Sequence, residues 1–299
     1  MNDAFTAKGL DSPRLSAEML LSHVIGCDRL RLYTESDRPA SPIERQTLRG
    51  LVSRALKNEP IQYLIGEAWF FGLPFTVDHR VLIPRPCTET IVERVLQHAR
   101  SRPGFGGTDG DALLIADVCT GSGCIAIAIA KHLQHARIIA TDLSEDALEV
   151  AATNARRHGV EDRIDLRAGD LLTPLREHPA AGQNGSLSFL VSNPPYIPDA
   201  QWDTDMGANV RDHEPEIALR GGSDGLEFTL PLINDGPTLL RPDGLLIIEL
   251  AAINAETVHQ AAEQSPMLEA VEVVSDLEGH PRTLIATRKH DTSSPAATL

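Results

Sequence analysis

The sequence is poor in aromatic residues and in cysteine. Aromatic side chains make up 4% of its 299 residues, too few for the stacking surface that binds single-stranded nucleic acid. The cysteines form no CxxC pair, and four of them do not make a disulfide framework in a chain of this length. We therefore expect reduced, buried thiols and no metal site. The four cysteines are Cys27, Cys87, Cys119 and Cys124.

Long apolar runs are also missing. No run approaches the roughly 18 residues that a membrane-spanning helix needs. The N-terminus shows no basic-then-apolar stretch of the kind that begins a secretion signal. These two absences predict a cytoplasmic protein that has no membrane partner.

Basic charge is scarce in one part of the chain. The sequence has 27 Lys and Arg against 42 Asp and Glu, a formal charge of -15. Residues 1–85 carry 11 basic and 10 acidic side chains, so 16 basic and 32 acidic ones fall in residues 86–299. Enzymes that act on nucleic acid usually need Lys- and Arg-rich surfaces. The excess of acid therefore argues against direct nucleic-acid binding, although most such excesses only keep a surface soluble.

The apolar pattern changes along the chain. In the first 60 residues it has the period of a helix, and Ser41 to Glu44 has the pattern of a capping box at a helix start. Residues 61–86 favour two short strands and a turn. We predict four parts: a helical bundle domain at 1–60, a β-hairpin connector at 61–86, a catalytic domain at 87–290 and a disordered tail at 291–299.

Apolar runs alternate with helical patterns in the third part. Predicted helices lie at 124–134, 145–158, 224–240 and 254–264. The predicted strands are Ala112–Val118, Arg137–Thr141, Ile164–Ala168, Leu187–Ser192, Leu245–Leu250, Ala270–Val274 and Thr283–Thr287. Continuous apolar strands between helices indicate a mostly parallel sheet that is covered on both faces. The last two strands have no helix between them and must be antiparallel, so we predict an α/β fold with a seven-stranded sheet.

The first strand of this sheet runs into a turn that contains two glycines. Gly121 and Gly123 allow a tight bend and let a ligand approach bare N–H groups where the next helix starts. Asp142 ends the next strand, and an acid at this place accepts hydrogen bonds from both hydroxyls of a ribose. Together these residues predict a nucleoside-containing ligand, although the glycines alone are also typical of a simple strand-to-helix turn.

The fourth strand ends in Asn193-Pro194-Pro195-Tyr196. Two consecutive prolines cannot continue a strand or donate backbone hydrogen bonds. The Asn193 side chain and the carbonyl groups beside the prolines therefore form a rigid set of acceptors with an aromatic ring next to it. Such a set suits a planar NH2 group, and an ordinary proline-rich turn is the plainer alternative.

These motifs resemble S-adenosylmethionine-dependent methyltransferases with an Asn-Pro-Pro-Tyr signature. In particular, the chain is similar to the N5-glutamine methyltransferases that modify peptide chain release factors. The resemblance covers nearly the whole chain and implies a Rossmann-like catalytic domain. The matching segments are Ile61–Glu67, Phe70–Gly72, Val81–Pro86, Thr88-Glu89, Asp117–Gly123, Asp142, Asn193–Tyr196, His213–Pro215 and Gly221–Leu226.

The resemblance implies a role for each site residue. The loop of Cys119, Thr120, Gly121, Ser122 and Gly123 would hold the methionine part of S-adenosylmethionine. Asp142 would bind its ribose, Asp170 and Leu171 would lie against its adenine, and Asn193 would border both cofactor and substrate. Asn193, Pro194, Pro195 and Tyr196 would bind the glutamine amide of a release factor Gly-Gly-Gln motif, with Asn193, Pro194 and Tyr196 as the catalytic residues. The N-terminal domain would dock the release factor.

Two residues depart from the pattern of the release factor enzymes. Cys119 stands where they usually have the first glycine of the loop, and Cys87 stands where they have an acid. A loop with Cys119 is similar to that of the sister enzymes that methylate a glutamine of a large-subunit ribosomal protein. The segment from Ile83 to Glu89 favours release factors as substrates.

Other hypotheses stay open at this point. The same acceptor set fits the exocyclic NH2 of adenine in DNA or RNA, and a non-catalytic protein could keep the fold. Asp212 to Glu216, with His132 and His135, could be drawn as metal ligands, but no second cluster completes a site. Arg85 either contacts the substrate or pairs locally.

Overall fold

A computed structural model describes residues 1–101, 113–182, 185–202, 204 and 206–290. The predicted tail at 291–299 and the first residue of the predicted strand Ala112–Val118 lie outside the described residues. No helix within the described ranges is long and apolar enough to cross a membrane.

The helices of the described residues are α1 (Asn2–Lys8), α2 (Pro13–Ile25), α3 (Arg31–Thr34), α4 (Pro42–Ala55), α5 (Ile61–Ile65), α6 (Glu89–Ser101), α7 (Cys124–His132), α8 (Glu145–His158), α9 (Thr173–Glu177), α10 (Asp199–Trp202), α11 (Ala208–Arg211), α12 (Thr229–Asp235) and α13 (Ala255–Gln264). The strands are β1 (Glu67–Phe70), β2 (Leu73–Thr76), β3 (Leu114–Val118), β4 (Arg137–Asp142), β5 (Ile164–Ala168), β6 (Leu187–Ser192), β7 (Leu240–Glu249), β8 (Leu268–Ser275) and β9 (Pro281–Arg288).

The first five helices pack around a small core of their own. Helix α4 starts with the predicted capping box, because the Ser41 hydroxyl accepts from the Glu44 N–H and the Glu44 carboxylate accepts from the Ser41 N–H. The buried core of this region comprises Phe5, Ala17, Leu20, Ala55, Ile61 and Leu64. Since Ile61 and Leu64 belong to α5, the helical packing continues a few residues beyond the predicted division at residue 60.

Strands β1 and β2 form an antiparallel hairpin that packs on the larger domain. Phe70 and Phe75 point into the core of the larger domain and meet edge to face. The backbone of Thr76 is held at both ends by Asn154 of α8, which accepts from its N–H at 2.7 Å and donates to its carbonyl at 3.0 Å. The Glu89 carboxylate accepts from the Phe71 N–H at the hairpin turn at 2.7 Å. The connector is therefore tied to the start of α6 and to α8.

The other strands of the described residues form one seven-stranded sheet in the order β5-β4-β3-β6-β7-β9-β8. Neighbours from β5 to β7 are parallel, whereas β9 is antiparallel to both β7 and β8. Two separate apolar clusters cover the two faces of the sheet. This arrangement confirms the predicted α/β fold with a seven-stranded sheet. The predicted helix at 224–240 is shorter in the structure, because Gly236 and Pro237 end α12 in a single 3-10 turn.

The chain reverses its direction of winding between β3 and β6. Strand β3 leads to β4 on one side, while β6 pairs with its other side. A crevice opens at such a reversal beyond the carboxyl ends of the strands, and ligands of open α/β sheets bind there. The turn after β3 and the Asn-Pro-Pro-Tyr segment after β6 meet at this point.

Candidate active site

A cleft lies at the carboxyl ends of β3, β4, β5 and β6. Nine of the predicted site residues line it: Cys119, Thr120, Gly121, Ser122, Asp142, Asp170, Leu171, Asn193 and Pro195. The other three, Gly123, Pro194 and Tyr196, adjoin lining residues in the chain and are not part of the lining themselves. The structure thus brings the loop, the acid and the Asn-Pro-Pro-Tyr segment together around one space.

The turn after β3 adopts a backbone that favours glycine. Cys119 and Gly121 have left-handed φ angles of 61° and 54°, so the departure from glycine at Cys119 leaves a side chain in a strained conformation. Gly123 begins α7 with φ 79°, and a Cβ there would lie 3.0 Å from Ile127 Cδ1 and 3.2 Å from Ala151 Cβ. The absence of a side chain at Gly123 therefore allows α7 to pack closely against α8.

A buried acid supports this turn from below. Asp117 is 0% exposed, and its Oδ2 accepts from the Thr120 hydroxyl at 2.6 Å and from the Ala126 N–H at 3.1 Å. Burial raises the pKa of Asp117 to about 7. The carboxyl group therefore links the loop to the first turn of α7. Burying this group costs more free energy when it is ionised than when it is protonated.

Asp142 is held by two backbone donors at the edge of the cleft. Its Oδ2 accepts from the Gly121 N–H at 2.8 Å, and its Oδ1 accepts from the Ser144 N–H at 2.9 Å. Burial raises the pKa of Asp142, while these N–H groups oppose the rise. Each carboxylate oxygen has two lone pairs, so both oxygens can still accept from the hydroxyls of a ribose.

The lining of the cleft also includes apolar side chains and the carboxylate of Asp170. Leu143 and Ile217 line the cleft and are 56% and 54% exposed. Phe228 and Leu171 add further apolar surface to the lining, and Asp170 precedes Leu171 in the chain. Flat apolar walls beside a hydrogen-bond acceptor suit a purine ring that carries an amino group.

The side chain of Asn193 is fixed by Thr88. Asn193 Nδ2 donates to Thr88 Oγ1 at 3.2 Å. Because the nitrogen end of the amide is engaged, Oδ1 is the end left to accept a hydrogen bond in the cleft. Thr88 lies just before α6 and is 2% exposed, so its hydroxyl is held firmly.

Tyr196 turns its hydroxyl into the protein. The hydroxyl donates to Glu249 Oε1 at 2.9 Å, and Glu249 is 0% exposed. Burial, followed by the nearby Glu249 carboxylate, raises the pKa of Tyr196 well above its usual value. The sequence-based interpretation did not include Glu249. The available signal was a single acid within the apolar run Leu245–Leu250.

Arg85 forms an ion pair across the chain. Its Nη2 lies 2.6 Å from Glu214 Oε1, and the Glu214 side chain is 0% exposed. Glu214 Oε2 also accepts from the Ile83 N–H at 3.1 Å, and the His213 ring contacts the Lys57 carbonyl at 3.3 Å. This segment therefore ties the connector to the loop after β6 and to the end of α4. Within the described ranges, no cluster of three or more His, Cys, Asp or Glu has the arrangement of a metal site.

Comparisons with known proteins agree with this geometry. Residues 2–66 match the PrmC N-terminal domain, and residues 109–223 match the methyltransferase small domain. The chain is 46% identical over 255 residues to the release factor glutamine methyltransferase of Chlorobaculum tepidum. The matched region covers 85% of this chain and 84% of that protein. The chain is 42% identical over 251 residues to the enzyme of the same name from Geobacter sulfurreducens, over 84% and 81% of the two chains.

The fold is shared more widely. A methyltransferase from Pyrococcus furiosus superimposes with a TM-score of 0.51 on 81% of this chain and 99% of that chain, at 16% identity. A likeness at this identity concerns the fold alone. The two relatives above are similar in sequence over 85% and 84% of this chain, which confirms the resemblance found in the motifs. The chain therefore belongs to the family of release factor glutamine methyltransferases.

Proposed function

We propose that this protein transfers a methyl group from S-adenosylmethionine to the side-chain amide nitrogen of a glutamine in a peptide chain release factor. The observation that carries the proposal is the fixed amide of Asn193, whose nitrogen is engaged by Thr88 and whose oxygen is left for the cleft. The family of its relatives supports the reaction and the substrate. Methylation of a ribosomal protein or of adenine has no such support.

The residues of one half of the cleft fit the cofactor. In this proposal Asp142 binds the ribose hydroxyls, the loop Cys119–Gly123 wraps the methionine part, and Asp170 and Leu171 border the adenine; we call these residues the cofactor end. The carboxylates of Asp142 and Asp170 also suit a cation. S-adenosylmethionine supplies the electrophilic methyl group on a positively charged sulfur.

We call Asn193 to Tyr196 the substrate end. These residues promote the reaction by orienting the glutamine amide. An amide nitrogen is a poor nucleophile because its lone pair is delocalised into the carbonyl. Acceptors on both hydrogens, Asn193 Oδ1 and the Pro194 carbonyl, favour the geometry in which that pair faces the methyl group. Pro195 and Tyr196 keep the segment rigid beside the amide. No strong base is needed, because the methylated nitrogen loses its extra proton readily.

The domains divide this task. Residues 1–60 dock the release factor, residues 61–86 connect, and residues 87–290 carry the chemistry. The near-neutral charge of the first part and the match of residues 2–66 to a separate domain support this division. We further propose that the enzyme works in the cytoplasm and meets its substrate free in solution, since its excess of acid disfavours contact with RNA.

A direct assay tests the proposal. The purified protein is incubated with labelled S-adenosylmethionine and, separately, with a release factor, the large-subunit ribosomal protein that the sister enzymes methylate, and DNA. We expect transfer to the release factor, with mass spectrometry placing the methyl group on the glutamine amide. Transfer to the ribosomal protein or to DNA instead would refute the proposed substrate.

A further inference from the structure

A glycine-containing loop lies against the substrate end. It comprises residues 219–226, and we call it the supporting loop. Leu219 and Leu226 at its two ends are buried, at 7% and 8% exposed, and Leu226 belongs to the apolar cluster on one face of the sheet. Buried side chains therefore anchor the loop at both ends. The proposed chemistry does not use any of its residues.

Backbone hydrogen bonds join the supporting loop to the chain directly after the substrate end. The Ile197 N–H donates to the Leu219 carbonyl at 2.9 Å, and the Gly221 N–H donates to the Ile197 carbonyl at 2.9 Å. These bonds form a parallel bridge between Ile197 and Arg220. The loop and the substrate end therefore run side by side.

The loop has no room for a side chain at Gly221. A Cβ there would lie 2.7 Å from the Tyr196 Cα and 2.9 Å from the Pro195 carbonyl oxygen. Non-bonded carbon atoms prefer separations of about 3.5 to 4.0 Å. At Gly221 the backbone of the supporting loop is therefore in direct contact with the backbone of the substrate end.

Gly225 makes a second contact of the same kind. A Cβ at this buried residue would collide with the Tyr196 carbonyl oxygen, and its φ of 77° lies in the left-handed region that favours glycine. The preceding residue is held from outside the loop, because Asn254 Nδ2 donates to the Asp224 carbonyl at 2.8 Å. Asn254 therefore keeps the loop in the place where Gly225 meets Tyr196.

These contacts lie next to a group that the proposed chemistry needs. The Pro194 carbonyl is one of the two acceptors for the substrate amide, and Pro195 follows it directly. Two prolines make the segment stiff, but stiffness alone does not fix its place relative to the cleft. A displacement of about 1 Å in a group that positions a substrate can cost about 100-fold in rate.

We propose that Gly221, Gly225 and Asn254 are positioning residues, which hold the Pro194 carbonyl in its place in the cleft. The two glycines let the supporting loop pack directly on the backbone of Pro195 and Tyr196, and Asn254 holds the loop there. For the role of the Pro194 carbonyl this rests on the proposed function.

Gly221→Ala tests the contact with the substrate end. The added methyl group would push the backbone of Pro195 and Tyr196 away from the loop. We expect kcat for release factor methylation to fall by about 10- to 100-fold. The dissociation constant for S-adenosylmethionine, measured by calorimetry, should stay within about threefold of the wild type. A kcat within about threefold of the wild type would overturn the proposal.

Gly244→Ala is the matched control for steric damage. A Cβ at Gly244 would lie 2.8 Å from the Arg241 carbonyl oxygen and 3.0 Å from the Leu187 carbonyl oxygen. Leu187 begins β6, so this contact lies at the opposite end of the strand from the cleft. We expect a similar fall in melting temperature, with kcat within about threefold of the wild type. Equal losses of kcat in both variants would assign Gly221 to stability alone and overturn the proposal.

Asn254→Asp tests the loop without adding bulk, and it decides the question if Gly221→Ala does not fold. Aspartate keeps the shape but cannot donate to the Asp224 carbonyl. We expect kcat to fall by about 3- to 10-fold, while the melting temperature and cofactor affinity stay close to those of the wild type. Unchanged kcat would overturn the role of Asn254 in positioning.

A measurement without substrate separates this inference from the proposed function. Hydrogen exchange of the Ile197 amide reports the pairing of the supporting loop with the chain after the substrate end. We expect at least about 10-fold faster exchange in Gly221→Ala and no change in Gly244→Ala. Unchanged exchange in Gly221→Ala would overturn the inference. If the exchange changes as expected but the wild type methylates no release factor, the proposed function fails and the contact of the loop with the substrate end stands.

Discussion

The contact that fixes Asp142 at the cofactor end joins residues that are close in the chain, whereas the substrate end is held by side chains from distant segments. Gly121 and Asp142, which bond each other, are 21 residues apart. Asn193 and Thr88 are 105 residues apart, and Tyr196 and Glu249 are 53 residues apart. The contact at the cofactor end therefore needs only two neighbouring strands and their loops. The contacts at the substrate end form only when the whole catalytic domain has folded.

The two ends also differ in what a substitution changes. Backbone N–H groups of the cofactor end remain when a side chain is replaced, provided that the turn keeps its shape. The substrate end loses its geometry when any one of a few side chains is changed. We therefore expect changes at the substrate end to affect kcat and changes at the cofactor end to affect cofactor affinity and stability.

The largest expected effect is that of Asn193→Ala. Removing the acceptor that orients the substrate amide should lower kcat by about 100- to 1,000-fold, the usual cost of one preorganised group in the transition state. Cofactor binding, measured by isothermal calorimetry, should change by less than about threefold. If the variant retained full activity, the substrate end would have no role in the chemistry.

Asp142→Ala should weaken cofactor binding and leave kcat nearly unchanged. Loss of charged hydrogen bonds to the ribose costs about 2 kcal/mol, which weakens S-adenosylmethionine binding by about 30-fold. With saturating cofactor, kcat should stay within about threefold. Asp162→Ala, an exposed aspartate far from the cleft, is the matched control and should bind the cofactor normally. Equal effects of the two variants would contradict the assignment of Asp142.

Gly123→Ala should reduce stability more than activity. Alanine would need a left-handed φ of 79° and would press on Ile127 and Ala151, at a cost of about 2 kcal/mol in the free energy of unfolding. Gly159→Ala has a similar φ of 62° with nothing within 4 Å, and it should cost about 1 kcal/mol. Urea unfolding of both variants measures the difference, which isolates the contribution of the packing of α7 against α8.

The smallest expected effect is a pH dependence from Asp117. Its pKa is raised to about 7 in the fold, so the folded state binds a proton that the unfolded state has already released. The free energy of unfolding should therefore fall as pH rises, by about 1 kcal/mol between pH 6 and pH 8, and level off above. Asp117→Asn should remove this slope. A wild-type slope of the opposite sign would show that Asp117 is ionised at little cost.

Local patterns were enough to predict much of this molecule. The capping box at Ser41, the strand boundaries near Leu187–Ser192 and the antiparallel last pair follow from residue periods and breakers that act within a few residues. The meeting of the turn at Gly121 with Asp142 was also predictable, because a turn and the acid after the next strand must meet when parallel strands lie side by side. Family membership came from the same short motifs.

Contacts between distant segments were not predictable in this way. The sequence left open whether Arg85 contacts substrate, and only the folded chain shows it beside the buried Glu214. Glu249 belongs to no motif, because its contact with Tyr196 depends on how β7 lies beside β6 in the folded sheet. The sequence by itself determined the elements, the sheet and the chemistry of its motifs, since these depend on near neighbours. The tertiary structure alone decided that Asn193 meets Thr88 and that Tyr196 meets the buried Glu249, since folding brings these side chains together from 105 and 53 residues away.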